Sequence, residues 1–457
     1  MAISPALDRF FRRFIPEPLT LAVILTFMVG LAAMVWGNFP DNKPTWHSVL
    51  QSWYQGIWNP PLLVFMVQML LILVLGHALA LAKPVDRIIT ALTGISRKPG
   101  TAVAVVCAAT LAMSFLNWGL GLIFGAILAR KMGEKLSAQK VAFNYPLLGA
   151  VGYAGFMIWH GGISGSAPLK AAEPGHLQSL MQGMPGAEKL PESIPLQSTI
   201  FGSLNLTATV ILFLTLPLLA WFLARRSSLQ MQPLEKTTLT HLPKGKASYP
   251  AEKLDRSPVI GVLLGALVLI TAFLIAQQGS RNWGFITPNF INFVFLGLGL
   301  ILHGSLYRFG KAINEAVRGA SGIVIQFPLY FGIMGILKSS GLIAMVSHSM
   351  LQVANADTLP LFTFFSAGMV NFFVPSGGGQ WAIQGPIILQ AAQGVGLPLP
   401  KGIMALAYGD QITNMMQPFW ALPLLSITGL KARDILPYTL LFMIFGAAVY
   451  LAILILM

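Results

Sequence analysis

The feature that most constrains this chain is a series of apolar runs, each about long enough to cross the hydrocarbon core of a bilayer. That core is about 30 Å thick, and a helix needs roughly 20 apolar residues to span it. Only 10% of the residues are charged, whereas soluble domains carry about 25%. We therefore predict an all-α, multi-pass membrane protein with a single membrane domain. The clearest runs are Leu19–Trp36, Leu62–Ala82, Leu204–Ala224, Val259–Ala276, Phe290–Leu302 with its flanks, and Leu440–Met457.

The basic residues predict how the chain crosses the membrane. The formal net charge of +14 would also fit a nucleic-acid surface, but cytoplasmic loops of membrane proteins collect Lys and Arg. With a cytoplasmic N-terminus, the loops on that side hold 23 of the 29 Lys and Arg. The sequence therefore predicts a C-terminus on the outer side and no nucleic-acid partner.

Two segments are predicted to enter and leave the membrane from the same face. Residues 101–129 have basic residues on both flanks, and their polar turn lies at Asn117–Gly121. Residues 359–393 carry no charge and are interrupted at Pro375–Gly379. Non-helical backbone at membrane depth is tolerated only where protein or a watery cavity covers it. We interpret both segments as re-entrant helical hairpins.

The order of spans and hairpins predicts an inverted repeat. His160 follows Asn117 by 43 residues, and Asn414 follows Asn371 by the same distance. Many secondary transporters build a site near the bilayer midplane from inverted repeats with interrupted helices. Secondary transport is therefore the predicted function, against the alternative of a structural helix bundle. The predicted divisions are 1–224 as the first repeat, 225–257 as a basic cytoplasmic loop, and 258–457 as a linker span with the second repeat.

The polar break of the second hairpin is the strongest candidate for binding a solute. Proline removes a backbone donor, and consecutive glycines permit close backbone approach. The exposed amides at the start of the following helix can hold a carboxylate. Ser376 and Gln380 add side-chain donors, and Trp381 adds an apolar wall. Close helix packing is the alternative explanation for the glycines.

Asp410 is the only acidic residue inside a predicted crossing. An intramembrane ionisable group is a functional hypothesis by default. With Thr413 and Asn414 it offers oxygen ligands for a cation, or it carries a proton itself. The alternative is that it caps a broken helix. His160 lies at the matching break of the first half and could donate to an anion or titrate near neutral pH.

The same segments exclude other functions. The chain has no metal-ligand cluster and no phosphate-binding glycine loop, so ATP-driven transport is not expected. A membrane enzyme acting on acyl groups is the rival from another class. No Lys or Arg lies clearly inside a hairpin or a broken helix. An anion would therefore be bound by neutral donors, which favours a small monoanion.

Three runs carry a resemblance to a known family. Asn371–Ala382, Gly409–Asn414 and Phe14–Leu19 resemble the short-chain fatty acid transporter family over essentially the whole chain. The resemblance implies uptake of short monocarboxylates, such as acetoacetate or butyrate, across a bacterial inner membrane. That family is similar to the p-aminobenzoyl-glutamate and divalent-anion/sodium symporter groups. That similarity implies a homodimer with a scaffold domain, a moving transport domain and an elevator mechanism. The alternative function is transport of another small anion on the same fold, such as a dicarboxylate, an aminobenzoyl conjugate or an amino acid.

The candidate residues follow from these segments and from the resemblance. No cofactor is expected, and the coupling ion is Na⁺ or H⁺. The hairpin tips lack the Ser-Asn-Thr sequence of the divalent-anion group, which leaves the choice of ion open. The candidate substrate-binding residues are Asn117, Trp118, His160, Asn371, Ser376, Gly377, Gly378, Gly379, Gln380, Trp381 and Asn414. The candidate ion-binding residues are Asn117, Gly119, Ser164, Asn371, Asp410, Thr413 and Asn414.

Overall fold

A computed structural model gives the structure of the chain for most of its length. The predicted basic loop, 225–257, lies largely outside the described residues, as does Pro375. The described residues are 13, 16–39, 45–94, 98–182, 185–226, 234, 249–278, 285, 287–317, 321–351, 354–374 and 376–457.

The described residues form α-helices and short 3₁₀ turns. Their first half contains α1 (Pro18–Trp36), α2 (Trp46–Ile57), α3 (Pro60–Ala80), α4 (Lys83–Gly94), α5 (Pro99–Leu116), α6 (Trp118–Ala138), α7 (Tyr145–Tyr153), α8 (Ser166–Ala171), α9 (His176–Leu180) and α10 (Ser203–Arg226). The second half contains α11 (Pro250–Asp255), α12 (Pro258–Gln278), α13 (Pro288–His303), α14 (Leu306–Val317), α15 (Ser321–Ser339), α16 (Leu342–Leu351), α17 (Leu359–Asn371), α18 (Gly377–Val395), α19 (Leu399–Thr413), α20 (Pro418–Thr428) and α21 (Ala432–Leu456).

The helices present the surface expected of a membrane protein. Among the described residues, six helices are long and apolar enough to cross a bilayer, namely α1, α3, α5, α10, α12 and α21. Their outer faces are apolar and exposed: Phe27 is 68% exposed, Leu214 63% and Leu267 62%. Contiguous apolar surface of this extent marks contact with a membrane or a partner. The prediction of an all-α multi-pass membrane protein is confirmed.

The chain doubles back on itself at Asn117. Packing of Gly121 against Ser114 and of Gly125 against Thr110 sets α5 and α6 antiparallel. Asn117 is in extended conformation, and its side-chain oxygen accepts hydrogen bonds from the amides of Gly119 (2.9 Å) and Leu120 (3.1 Å). An asparagine at this position satisfies amides that the new helix leaves without partners. Together α5 and α6 therefore form a helical hairpin with its tip at Asn117.

A second hairpin is made by α17 and α18. The Gln380 side-chain amide donates to the Ala367 carbonyl at 2.8 Å, and the Gln384 amide donates to the Ser366 hydroxyl at 3.0 Å. Ser376 caps α18 by accepting from the Gly379 amide at 3.2 Å. The polar residues of this segment thus hold the two arms of the hairpin together and cap its second helix.

Two further helices break opposite the hairpin tips. After α7 the chain continues as a short 3₁₀ helix, Ala154–Met157, and then as turns up to Gly165. After α19 it passes through another 3₁₀ helix, Asn414–Met416, before Pro418 starts α20. Both breaks lie where glycine, proline and polar residues interrupt apolar sequence. The division of the chain into two inverted repeats stays a prediction.

The arms of the second hairpin lie against α19 with little space between backbones. A Cβ atom at Gly409 would lie 2.1 Å from the Phe364 carbonyl oxygen and 2.9 Å from the Ala367 Cβ. Small residues at such positions let membrane helices approach closely. Glycine at position 409 therefore sets the distance between α17 and α19.

We expect Gly409→Ala to destabilise the protein, because a methyl group there collides with backbone. Overpacking of this kind costs about 1–3 kcal/mol, so the melting temperature in detergent should fall by several degrees. Gly310→Ala in α14 is the matched control, since nothing lies within 4 Å of its added Cβ. Equal melting temperatures for Gly409→Ala and the wild type would contradict this packing.

Candidate functional site

A cavity of about 1100 Å³ lies where the two hairpin tips meet. Both tips contribute to its wall, as do the first helix break, Trp420 of α20, and described residues of the segments 169–201 and 278–288. Six of the predicted site residues line it, namely Asn117, Trp118, Ser164, Ser376, Gly377 and Gly378. The cavity therefore brings together polar residues that are about 250 positions apart in sequence.

His160 and Asp410 pair directly behind this wall. The Nδ1 atom of His160 is hydrogen-bonded to the Oδ2 atom of Asp410, and both side chains are fully buried. The other ring nitrogen, Nε2, accepts a hydrogen bond from the Ala167 amide at 3.0 Å. An acceptor nitrogen carries no proton, so the ring proton is on Nδ1 and points at the carboxylate. The pair is therefore a neutral imidazole donating to Asp410.

Neighbouring side chains fix the His160 backbone. The Gln411 side-chain oxygen accepts from the amides of His160 (2.8 Å) and Gly161 (3.3 Å). The Gln411 amide in turn donates to the Tyr450 hydroxyl, which donates to the Met157 carbonyl at 2.6 Å. The Gln411 and Tyr450 side chains therefore both have hydrogen-bond partners, and this series of hydrogen bonds holds the backbone of the break in place.

The first hairpin tip is bound to the first helix break. The Ser164 hydroxyl accepts from the Trp118 amide at 3.0 Å, and the Ile163 amide donates to the Phe115 carbonyl at 2.8 Å. Gly162 lies against Phe115, where a Cβ atom would be 2.5 Å from its carbonyl oxygen. The tip of the first hairpin and the break at His160 are thus held together by backbone contacts.

The second tip is bound to the second break through Asn371. Its side-chain nitrogen lies 2.7 Å from the Asp410 carbonyl, 2.9 Å from the Thr413 hydroxyl and 2.7 Å from the Asn414 side-chain oxygen. The Gln417 amide donates to the Asn371 carbonyl. Four of the predicted ion-binding residues therefore lie in one buried cluster: Asn371, Asp410, Thr413 and Asn414.

Other predicted residues lie elsewhere. Gln380 is completely buried inside the second hairpin, where its amide also donates to Gln384 at 2.7 Å. Trp381 is buried on the far side of α18, and its indole donates to His176 at 3.1 Å. The Gly379 amide donates to the Ser376 hydroxyl, and Gly119 packs against Ile72. None of these four lines the cavity described above.

The cavity wall also contains aromatic residues that sequence reasoning did not select. Phe65, Phe156 and Trp420 line it together with Trp118 and Trp159. Trp420 and Phe156 each lie within a few residues of a predicted helix break, and this proximity could have identified them as lining residues. Phe65 comes from α3, far from any polar motif, so its sequence context did not indicate that it lines the cavity.

The electrostatics of the lining are close to neutral. Within the described part of the wall the one cationic side chain is Lys170, and its ammonium lies 2.9 Å from both carboxylate oxygens of Glu173. That ion pair is about half exposed. Among the described residues, no group of three or more His, Cys, Asp or Glu could hold a metal ion. At the hairpin tips themselves, the described residues that line the cavity are uncharged: Asn117, Trp118, Ser376, Gly377 and Gly378.

A family model for short chain fatty acid transporters matches residues 1–457. The chain belongs to the short-chain fatty acid transporter family. A protein of Escherichia coli (strain K12) named as such a transporter is 37% identical over 455 residues, covering 98% of each chain. A protein of Haemophilus influenzae with the same name is 36% identical over 456 residues, again covering 98% of each chain. The prediction of a transporter rather than an enzyme is confirmed.

Two solved transporters share an overall likeness with the chain. The YdaH transporter of Alcanivorax borkumensis matches with a TM-score of 0.45 at 15% identity, over 95% of this chain and 98% of that one. MtrF of Neisseria gonorrhoeae, described with a class of antimetabolite efflux pumps, matches with a TM-score of 0.36 at 14% identity, over 97% and 96%. These scores are too low for a comparison of individual site residues.

The contact between His176 and Trp381 gives a prediction about pH. Burial, and then Lys170, lower the pKa of His176 below its ordinary 6.5. The ring accepts the Trp381 hydrogen bond only when Nε2 is unprotonated. The contact is therefore complete above pH 6.5 and is lost as the pH falls through the lowered pKa. His176→Gln keeps an acceptor that does not titrate.

We expect the melting temperature of the wild type to fall more between pH 7.5 and pH 5 than that of His176→Gln. The measurement is thermal unfolding in detergent at both pH values. Trp381→Phe, which removes the donor, should also show the smaller pH dependence. An identical pH dependence in all three proteins would mean that this hydrogen bond does not stabilise the fold.

Proposed function

We propose that the protein is a cation-coupled symporter of short-chain monocarboxylates such as acetoacetate or butyrate. The observation that carries this proposal is the placement of Asp410. Its backbone carbonyl belongs to the Asn371 cluster, and its carboxylate binds His160 beside the cavity. One residue thus contacts both a candidate cation site and the wall of a candidate substrate site.

The substrate carboxylate is assigned to the start of α18. Ser376 uses its side chain to bind the Gly379 amide, and Gly377 and Gly378 line the cavity. The first amides of a helix have no partner within the helix and lie at the positive end of its dipole. Three successive glycines leave no side chain between these amides and a ligand. A monoanion is bound here without a cationic residue.

The cation is assigned to the Asn371 cluster. Three oxygens, from Asp410, Thr413 and Asn414, lie within 2.9 Å of a single point, the Asn371 side-chain nitrogen. The Asn371 side-chain oxygen and that of Gln417 are buried without a hydrogen-bond partner among the described residues. Buried polar atoms are normally paired. Turning the Asn371 amide would complete an oxygen cage of the kind that a hard cation such as Na⁺ prefers.

A proton is the second candidate for the coupling ion. The Oδ1 oxygen of Asp410 is also buried and has no partner among the described residues. Because His160 already donates to Oδ2, a proton on Oδ1 would neutralise the carboxylate without breaking that contact. The Na⁺ and H⁺ mechanisms use the same aspartate and differ in which oxygens receive the ion.

We also propose how the hairpins move, how the protein assembles and in which membrane it lies. Each hairpin tip is bound to a helix break, and the His160–Asp410 hydrogen bond joins the two breaks. These contacts support movement of both hairpins as one body in an elevator mechanism. The proposed assembly is a homodimer in a bacterial inner membrane, with a cytoplasmic N-terminus and a periplasmic C-terminus. The distribution of Lys and Arg supports this orientation.

The test of function is uptake of labelled butyrate into proteoliposomes, first by counterflow and then with Na⁺ and pH gradients imposed separately. The proposal predicts counterflow, and accumulation driven by one of the two gradients. For one-to-one coupling, a tenfold ion gradient supports about tenfold accumulation, since equal ratios have equal free energies. Counterflow with no response to either gradient would contradict symport. No butyrate counterflow would contradict the proposed substrate.

If the Asp410 carboxyl carries the coupling ion, we expect Asp410→Asn to lose gradient-driven accumulation while counterflow continues. Asparagine can still accept the His160 hydrogen bond, so the fold is retained, but it cannot carry the charge or the proton. With a tenfold gradient, about tenfold accumulation should fall to simple equilibration. Full accumulation by the variant would reassign Asp410 to a structural role in the broken helix.

The Thr413→Val variant distinguishes coupling to Na⁺ from coupling to H⁺. If Na⁺ binds the cluster, loss of one oxygen ligand should raise the Na⁺ concentration for half-maximal uptake roughly tenfold or more. If the coupling ion is H⁺, uptake should keep its pH dependence and show no dependence on Na⁺. Thr439→Val is the matched control, because Thr439 is also buried and its hydroxyl donates to a backbone carbonyl in its own helix, α21.

Single cysteines test the proposed path of the first hairpin. Lys98→Cys and Gln139→Cys, exposed at its two ends, should be labelled by an impermeant maleimide from the same side. Glu192→Cys in the outer segment should be labelled from the opposite side. The native Cys107 is buried, so the wild type serves as the unlabelled control. Labelling of residues 98 and 139 from opposite sides would mean that α5 and α6 do not form a re-entrant pair.

A further inference from the structure

Five aromatic side chains form one continuous part of the cavity wall. We call Phe65, Trp118, Phe156, Trp159 and Trp420 the aromatic box. They come from four separate places: α3 (Phe65), the first hairpin tip (Trp118), the first helix break (Phe156 and Trp159) and the start of α20 (Trp420). Rings that converge from such distant parts of the chain define a site, because no single helix face would place them together.

The rings of the box contact one another directly. Trp420 lies at the centre, with ring centroids 5.2 Å from Trp118, 5.5 Å from Phe156 and 6.0 Å from Phe65. Trp159 joins through Trp118 at 6.1 Å. The pairs with Trp118 and Phe65 are near perpendicular, at 73° and 82°, an arrangement that aromatic pairs favour. Trp420 therefore holds the box together.

The box adjoins the polar end of the cavity. A Cβ atom at Gly377 would lie 2.8 Å from the Cη2 atom of Trp159, so the first residue of α18 touches a ring of the box. The same position would lie 3.3 Å from the Asp410 carboxylate. The cavity thus has neutral backbone donors at one place and an apolar, aromatic surface immediately beside them. A short molecule with one carboxylate and an apolar tail has the same arrangement.

We propose that the aromatic box is the subsite for the acyl tail and that Trp420 sets the upper limit of chain length. This inference rests on the proposed function. A second carboxylate at the far end of the substrate would enter an aromatic surface. Lys170, the cation described in the wall, is paired with Glu173. The box therefore selects apolar monocarboxylates over dicarboxylates as well as limiting their length.

The experiment compares initial uptake of labelled acetate, butyrate, hexanoate and octanoate by wild type and Trp420→Leu in proteoliposomes. The smaller side chain opens room at the centre of the box while leaving it apolar. One methylene group in an apolar pocket changes selectivity by about 10–200-fold. We expect the hexanoate-to-butyrate ratio of uptake rates to rise at least about tenfold in the variant. Phe156→Leu, which opens another wall, should shift the ratio in the same direction.

Phe419→Leu is the matched control, because the Phe419 ring also contacts Trp420, with centroids 5.1 Å apart, but stacks on Phe327 at 4.0 Å and does not line the cavity. Its ratio should equal that of the wild type. Butyrate uptake by the wild type with unchanged ratios in Trp420→Leu and Phe156→Leu would overturn the inference and leave the proposed function standing. A shift of the same size in Phe419→Leu would also overturn it. No uptake of any of the four acids by the wild type would overturn both.

Discussion

The contact between His160 and Asp410 is the interaction on which the rest of the site depends. Both side chains are fully buried, and an aspartate placed in a membrane protein is costly unless it is paired. His160 provides the pairing from a helix break in the first half of the chain, about 250 residues away. Removing one partner of such a buried pair leaves the other uncompensated. This pairing therefore stabilises the contact between the two halves of the chain.

The position of this contact explains how an ion and a substrate could influence one another. On one side, the Asp410 backbone belongs to the cluster around Asn371. On the other, its carboxylate and His160 both lie against Gly377, the first residue of the helix that faces the cavity. In the proposed mechanism, an ion bound in the cluster would order the second hairpin tip, and a more ordered tip would bind an anion at lower entropic cost. Coupling of this kind needs two sites that favour the same conformation.

The sequence predicted the places where the helices break but not what the breaks contact. The turns at Asn117–Gly121 and Pro375–Gly379 were recognisable because polar residues, glycine and proline interrupt apolar runs there. The pairing of His160 with Asp410 was not predictable, since each residue was assigned a separate role. Gln380 was predicted to bind substrate because it follows the glycines. Its side chain points into the hairpin instead. Gln384 lies four residues later on the same face of α18, and the two side chains hydrogen-bond there. The aromatic box depends on the tertiary packing of four separate segments, which no local sequence pattern indicates.

A crystal structure with 4-bromobutyrate and Na⁺ would test the central claim most directly, because anomalous scattering locates the bromine atom independently of the fitted ligand. The account predicts the bromine against the rings of the aromatic box, in van der Waals contact with Trp118 or Trp420, with the carboxylate against the amides of Gly377 and Gly378. A bromine peak outside the aromatic box, or a carboxylate bound to a cationic side chain such as Lys170, would contradict it.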